Sequence, residues 1–144
     1  EMYRMLERNV SDRLPSACTL YERGITLAGM SKAYSMPGLR IGWLATKDAA
    51  FLEQIATYRD YVTICSAGPA EILALAGLQA GEAVVRQNCE RIASAAAAVS
   101  ELLAEDERWA THFSWRQPKA GPITFLALQG SFSAESYCQK LVEG

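Results

Sequence analysis

The sequence has little metal-ligating chemistry. One histidine, His112, occurs among 144 residues, and Cys18, Cys65, Cys89 and Cys138 stand 47, 24 and 49 residues apart without a C-x-x-C pair. Zinc-site spacing is absent, and scattered single cysteines read as small buried hydrophobes in a reducing compartment. Basic blocks are missing too. Fourteen basic residues face sixteen acidic ones, leaving a net charge of −2 spread along the chain, which argues against nucleic acid as a partner. The alanine-rich stretch at 95–99 falls far short of the ~20 apolar residues of a membrane span. No basic, apolar, small-residue leader opens the chain, so the expected location is cytoplasmic, with neither export nor a membrane anchor. With 50% apolar and 21% charged residues, ten glycines and five prolines, disorder, collagen and coiled coil are excluded. A chain of this length can bury roughly 68–70% of its unfolded surface, enough for a real core. It begins at Glu1 without methionine and stops at Gly144 with no evident terminal element, which reads as a piece of something longer.

Periodicity supplies a coarse map. Residues 1–9 suit a strand end or a short helix, and Pro15 breaks any continuation. The run 25–30 after Gly24 reads as a buried strand, 31–40 with Pro37 and Gly38 as an irregular loop, and 41–45 as a second strand. Thr46, Asp48 and Ala49 form a helix start, and Phe51, Leu52, Ile55, Tyr58 and Val62 give that helix an apolar face over about 47–61. Gly68-Pro69 opens the most periodic segment, with Glu71 in the first turn. Val85, Cys89, Ile92, Ala96, Val99 and Leu103 continue a stripe down to Glu105-Asp106-Glu107. This predicts one helix of roughly 36 residues, about 54 Å long, bridging two domains, with Gly77 and Gly81 marking a close approach or a bend. Runs at 112–115 and 123–128, joined by a turn-rich segment, predict a hairpin, and Ser133-Ala134-Glu135 begins a last helix.

Lys32 is one of four lysines and sits unlike the others, directly after an apolar strand and before small and helix-breaking residues. On context alone a lysine in a turn is a solvated surface group. At the mouth of a parallel sheet, partly withdrawn from water, it can act as a nucleophilic amine or a base, which an arginine cannot. Eight residues on, Arg40 offers a planar fork for phosphate or carboxylate. His112 reads as a solvated or capping residue, Trp43, Trp109 and Trp115 as packing, and nothing in the sequence activates Cys65.

The segment Ala28-Gly29-Met30-Ser31-Lys32-Ala33-Tyr34-Ser35-Met36-Pro37-Gly38-Leu39-Arg40-Ile41-Gly42-Trp43 resembles the lysine signature of class I/II pyridoxal-phosphate-dependent aminotransferases, enzymes of fold type I. The resemblance implies that Lys32 bonds the aldehyde of pyridoxal 5'-phosphate and later serves as the catalytic base, that Arg40 binds its phosphate, and that Ser31 lies beside it. Glu1-Met2-Tyr3-Arg4 resembles the end of the family's Asp-Glu-x-Tyr strand, which gives Tyr3 the hydrogen bond to the cofactor's 3'-oxygen. One departure stands out: the family's usual phosphate-binding serine three residues before the lysine is Gly29 here. Less specific likenesses at 63–69 and 118–125 extend the coverage over the whole chain.

The implied fold is α/β: the end of a three-layer α/β/α large domain at 1–66, an interdomain helix at 67–107, and the start of a small α+β domain at 108–144. The implied activity is transfer of an amino group between an amino acid and a 2-oxo acid, by a homodimer when full length. The family's pyridine-nitrogen aspartate, ring-stacking aromatic and substrate-clamping arginine have no counterpart in this chain. The same loop serves PLP-dependent lyases, cyclases and synthases, and a non-catalytic sensor domain of a transcription regulator is a further reading.

Overall fold

Ser16 and Thr26 tie the first turn of the chain to its first strand. In the computed structural model, which describes residues 1–131 and 133–144, a four-residue helix α1 (Ala17–Leu20) precedes strand β1 (Ile25–Gly29). The Thr26 hydroxyl is buried, 2.7 Å from Ser16 Oγ, and accepts from the Cys18 amide. Gly24 between them is obligatory, because a Cβ there would collide with the Ala17 carbonyl.

β1 pairs antiparallel with β2 (Gly42–Thr46), Leu27 opposite Leu44 and Gly29 opposite Gly42. The parallel arrangement expected around Lys32 is therefore replaced by an antiparallel pair. The connection is too short to hold a crossover helix, and it folds back through a 3-10 turn at Pro37–Leu39. Met30 N–H donates to Ile41 O at 3.0 Å and closes the loop at its base. Nor is β1 buried on both faces: Thr26 is packed and Leu27 is exposed, the alternation of a strand with one open face.

Asp48 caps helix α2 (Ala49–Val62) by accepting from the Phe51 amide at 2.9 Å. The single long helix expected next is two helices, α3 (Gly68–Gln79) and α4 (Gly81–Glu105). Ala80, at φ −86° and ψ 7°, ends one and starts the other. The flanking glycines explain the break: Gly77 is pressed against Met36 and Gly81 against the Tyr34 ring, so the chain bends to bring both onto the lysine loop. α3 carries Ile72, Leu73, Leu75 and Leu78 exposed.

α4 ends at the acidic run as expected, and a further helix α5 (Glu107–His112) follows at once, taking up His112, where the sequence predicts the start of a strand. The Asp106 carboxylate accepts from the Arg108 amide at 2.9 Å and caps this new turn. β3 (Phe113–Trp115) and β4 (Leu126–Leu128) then form the expected antiparallel hairpin, narrower than its apolar runs. α6 (Ala134–Glu143) starts at Ser133, whose hydroxyl accepts from the Ser136 amide. Aromatic contacts join these last elements: Trp109 and Phe113 have ring centroids 5.7 Å apart, and Phe113 meets Tyr137 edge-on at 5.8 Å. Among the described residues, no helix is long and apolar enough to cross a membrane.

A buried cluster of Leu6, Ala33 and Val85, with Tyr3, Met5, Tyr34, Cys89 and Ile92 around it, joins the start of the chain, the lysine loop and α4. The start itself is neither strand nor helix. Met5 has a left-handed φ of 77°, which breaks regular structure, and only Glu7 forms a bridge, to Ala120.

Candidate active site

The loop between β1 and β2 is held from within and by the start of the chain and the helices α3 and α4. Within it, Ser35 N–H donates to Lys32 O at 3.1 Å and Met36 N–H to Met30 O at 3.0 Å. Met30 is fully buried. Leu6 and Val85 pack on Ala33, and Asn88 Nδ2 donates to Ala33 O at 2.9 Å from α4. The two glycines of the helix break pack on Met36, Met30 and Tyr34 of the same loop.

Lys32 is exposed rather than partly withdrawn, because the loop packs through Met30, Ala33 and Tyr34 and leaves this side chain outside. Among the described residues it has no carboxylate partner, and its Nζ lies 6.0 Å from the centroid of the Tyr3 ring. Tyr3 is half-buried, held by a turn in which Leu6 N–H donates to Tyr3 O, and backed by Gly121. A Cβ on Gly121 would stand 3.6 Å from three Tyr3 carbons, and its φ of +74° favours glycine at that contact. Gly121 N–H donates to Leu6 O and Arg8 N–H to Lys119 O, both at 2.9 Å, so the segment before β4 fixes the tyrosine.

Arg40 stands at the far end of the loop in a left-handed conformation, φ 54°, exposed, with Nη1 donating to Pro37 O at 2.8 Å. Its guanidinium folds over its own turn and keeps further donors free. Ser31 is half-buried at the start of the loop. The structure thus brings Tyr3 and Lys32 together and sets Arg40 on the same loop, with no direct contact between Arg40 and that pair among the described residues. At Gly29, a Cβ would lie 2.9 Å from Ile41 O and 3.1 Å from Gly42 Cα, so the strands close where the family signature has a serine.

Two ionisable groups near this frame are shifted. Burial pushes the Glu7 carboxyl up, but the Arg13 guanidinium, with Nε at 2.9 Å, and backbone N–H groups outweigh it and hold the group below its ordinary range. Burial, with Glu7 nearby, pushes the Cys89 thiol up, as suits a packing residue. Asn88 was not singled out from the sequence. A polar residue three positions after Val85, on the packed side of α4, is the signal that could have found it.

The sequence matches the family Aminotransferase class I and II over residues 2–144, and the chain belongs to that family. No curated protein matches it. Among solved structures, a PLP-dependent aminotransferase from Streptococcus suis 89-1591 shares 26% identity at a TM-score of 0.82, the match covering 99% of this chain and 36% of that one. The PLP-bound C-S lyase from Staphylococcus hominis shares 18% identity at a TM-score of 0.73, covering 99% and 34%, a likeness of fold alone. The chain therefore spans about a third of the length of these structures. Pyridoxal phosphate is the cofactor of this family.

Proposed function

We propose that this chain works as part of a pyridoxal-phosphate-dependent aminotransferase that moves an amino group between an amino acid and a 2-oxo acid. One observation carries the reading: on a loop fixed by the core, the Lys32 amine is exposed beside the Tyr3 ring, with Arg40 on the same loop. The donor set fits the cofactor. A primary amine suits its aldehyde, a guanidinium its phosphate, a phenol its ring oxygen, and the Ser31 hydroxyl supplies a further donor. When bound, pyridoxal phosphate supplies an electron sink for the substrate Cα–H bond.

Lys32 holds the cofactor through Nζ until the substrate amine displaces it. The Lys32 amine, once released, would be placed to take the proton from the substrate Cα, so one residue would be anchor and base. Arg40 and Tyr3 fix phosphate and ring so that the bond to be broken keeps its orientation. Residues 1–66 belong on this reading to the large domain, 67–107 to the segment between domains and 108–144 to the small domain. The exposed Ile72, Leu73, Leu75 and Leu78 of α3 support a homodimer of the full-length enzyme, and we place it in the cytoplasm.

The C-S lyase among the structural neighbours keeps one alternative in view, a PLP-dependent lyase of the same fold. Incubating the full-length protein, pyridoxal phosphate and a panel of amino acids with and without a 2-oxo acid separates the two. A new amino acid formed only when the 2-oxo acid is present is the expected result. Release of a thiol, ammonia and a 2-oxo acid from one sulfur-containing amino acid alone would favour the lyase.

A further inference from the structure

Asn88 occupies a place that its helix does not favour. It lies between Val85 and Ala96 on the packed face of α4, 9% exposed, and asparagine is a poor residue for a helix interior. Its Nδ2 spends a hydrogen bond on Ala33 O, 55 residues away. Ala33 directly follows Lys32 and is 4% exposed. A buried carbonyl needs a partner, and an apolar residue at 88 would leave this one without. Two turns earlier on the same face of α4, a Cβ on Gly81 would lie 3.1 Å from the Tyr34 ring, and in α3 one on Gly77 would lie 2.7 Å from Met36 and 3.0 Å from Met30. Tyr34 also donates its hydroxyl to Met5 Sδ at 3.8 Å. The loop is gripped at Met30, Ala33, Tyr34 and Met36, while Lys32 between them is left exposed.

We infer that Asn88 is a positioning residue: through Ala33 O it sets where the Lys32 amine stands, and the break at Ala80 is the socket that receives Tyr34 and Met36. This rests on the proposed role of Lys32. Asn88 touches neither substrate nor cofactor in this arrangement. Its loss therefore falls on proton transfer at Lys32 more than on substrate binding, since a shift of about 1 Å in a reacting group can cost up to a hundredfold in rate.

The test uses the full-length protein with pyridoxal phosphate, at a temperature where circular dichroism shows every variant folded. Asn88→Leu keeps roughly the side-chain size and removes the donor. It should lower kcat about tenfold or more, leave the KM for the amino acid within about twofold, and slow borohydride trapping of cofactor on Lys32. Asn88→Gln keeps the amide donor and should recover at least half of the wild-type kcat. A variant Asn88→Leu with only a lower melting temperature, its kcat and trapping rate unchanged, would overturn the inference, as would Asn88→Gln failing as badly as Asn88→Leu. Should Asn88→Leu not fold, Gly81→Ala carries the test from the Tyr34 side, with the same loss of kcat at constant KM expected; a folded Gly81→Ala of wild-type kcat would overturn the socket. Peptide mapping keeps the two readings apart. Trapped cofactor on another lysine in the wild type sinks the functional reading, whereas label on Lys32 at an unchanged rate in Asn88→Leu sinks only the role of Asn88.

Discussion

Leu6→Ala probes the joint on which the site stands. Leu6 is 3% exposed and packs with Ala33 and Val85 between Tyr3 and the lysine loop. Truncation removes about three carbons, worth about 2.4 kcal/mol at ~0.8 kcal/mol each, before any cavity is counted. The neighbours close in poorly. Leu6 N–H is held on Tyr3 O at 3.1 Å, Leu6 O by the Gly121 amide at 2.9 Å, and Ala33 O by Asn88. A loss of about 3–4 kcal/mol is therefore expected, a large share of the 5–15 kcal/mol that holds a typical protein folded. The urea midpoint of the full-length protein should fall with its slope unchanged. Hydrogen exchange of the Gly121 amide, which donates to Leu6 O, should quicken about a hundredfold at 1.4 kcal/mol per factor of ten. A loss under about 1 kcal/mol with Gly121 exchange unchanged would refute the claim that this cluster supports the site.

Arg40→Lys should raise the cofactor dissociation constant about tenfold in an equilibrium titration, since a point charge cannot reproduce a two-pronged grip on phosphate; an unchanged constant would mean that Arg40 faces elsewhere. Gly29→Ser should cost about 1–3 kcal/mol in thermal unfolding and give no gain in cofactor affinity, because its Cβ would meet Ile41 O at 2.9 Å. Tighter cofactor binding at full stability would show that the strands have room. Glu7 is held below its ordinary value of 4.5, so the stability it contributes is present above pH 4.5 and lost as pH falls through its folded value. Glu7→Gln should be less stable at neutral pH, and urea midpoints of the two proteins should converge on acidification; a gap constant from pH 7 to pH 3 would contradict the Arg13 pairing.

Local chemistry was readable in the sequence. Asp48 and Ser133 start helices because their side chains can accept the orphan amides of a first turn, and both do so here. The strand, loop and strand around Lys32 followed from apolar runs bounded by glycine and proline. Long-range packing was not readable. Gly77 and Gly81 marked a close approach or a bend in the sequence, but what they approach was not local: Met36 and Tyr34 lie more than 40 residues earlier. The helix end at the acidic run 105–107 was legible, and α4 does end at Glu105; that Asp106 also caps a further short helix was not. Asn88 shows both halves of the lesson. Its polarity on an apolar stripe was visible, and its partner at Ala33 was not.

The role of Lys32 is tested most directly by borohydride trapping of pyridoxal phosphate on the full-length protein, followed by proteolysis and mass spectrometry of the labelled peptide. The label should fall on Lys32, and Lys32→Ala should abolish both the label and the cofactor's visible absorbance. Label on Lys47, Lys119 or Lys140, or full labelling of Lys32→Ala, would contradict the account.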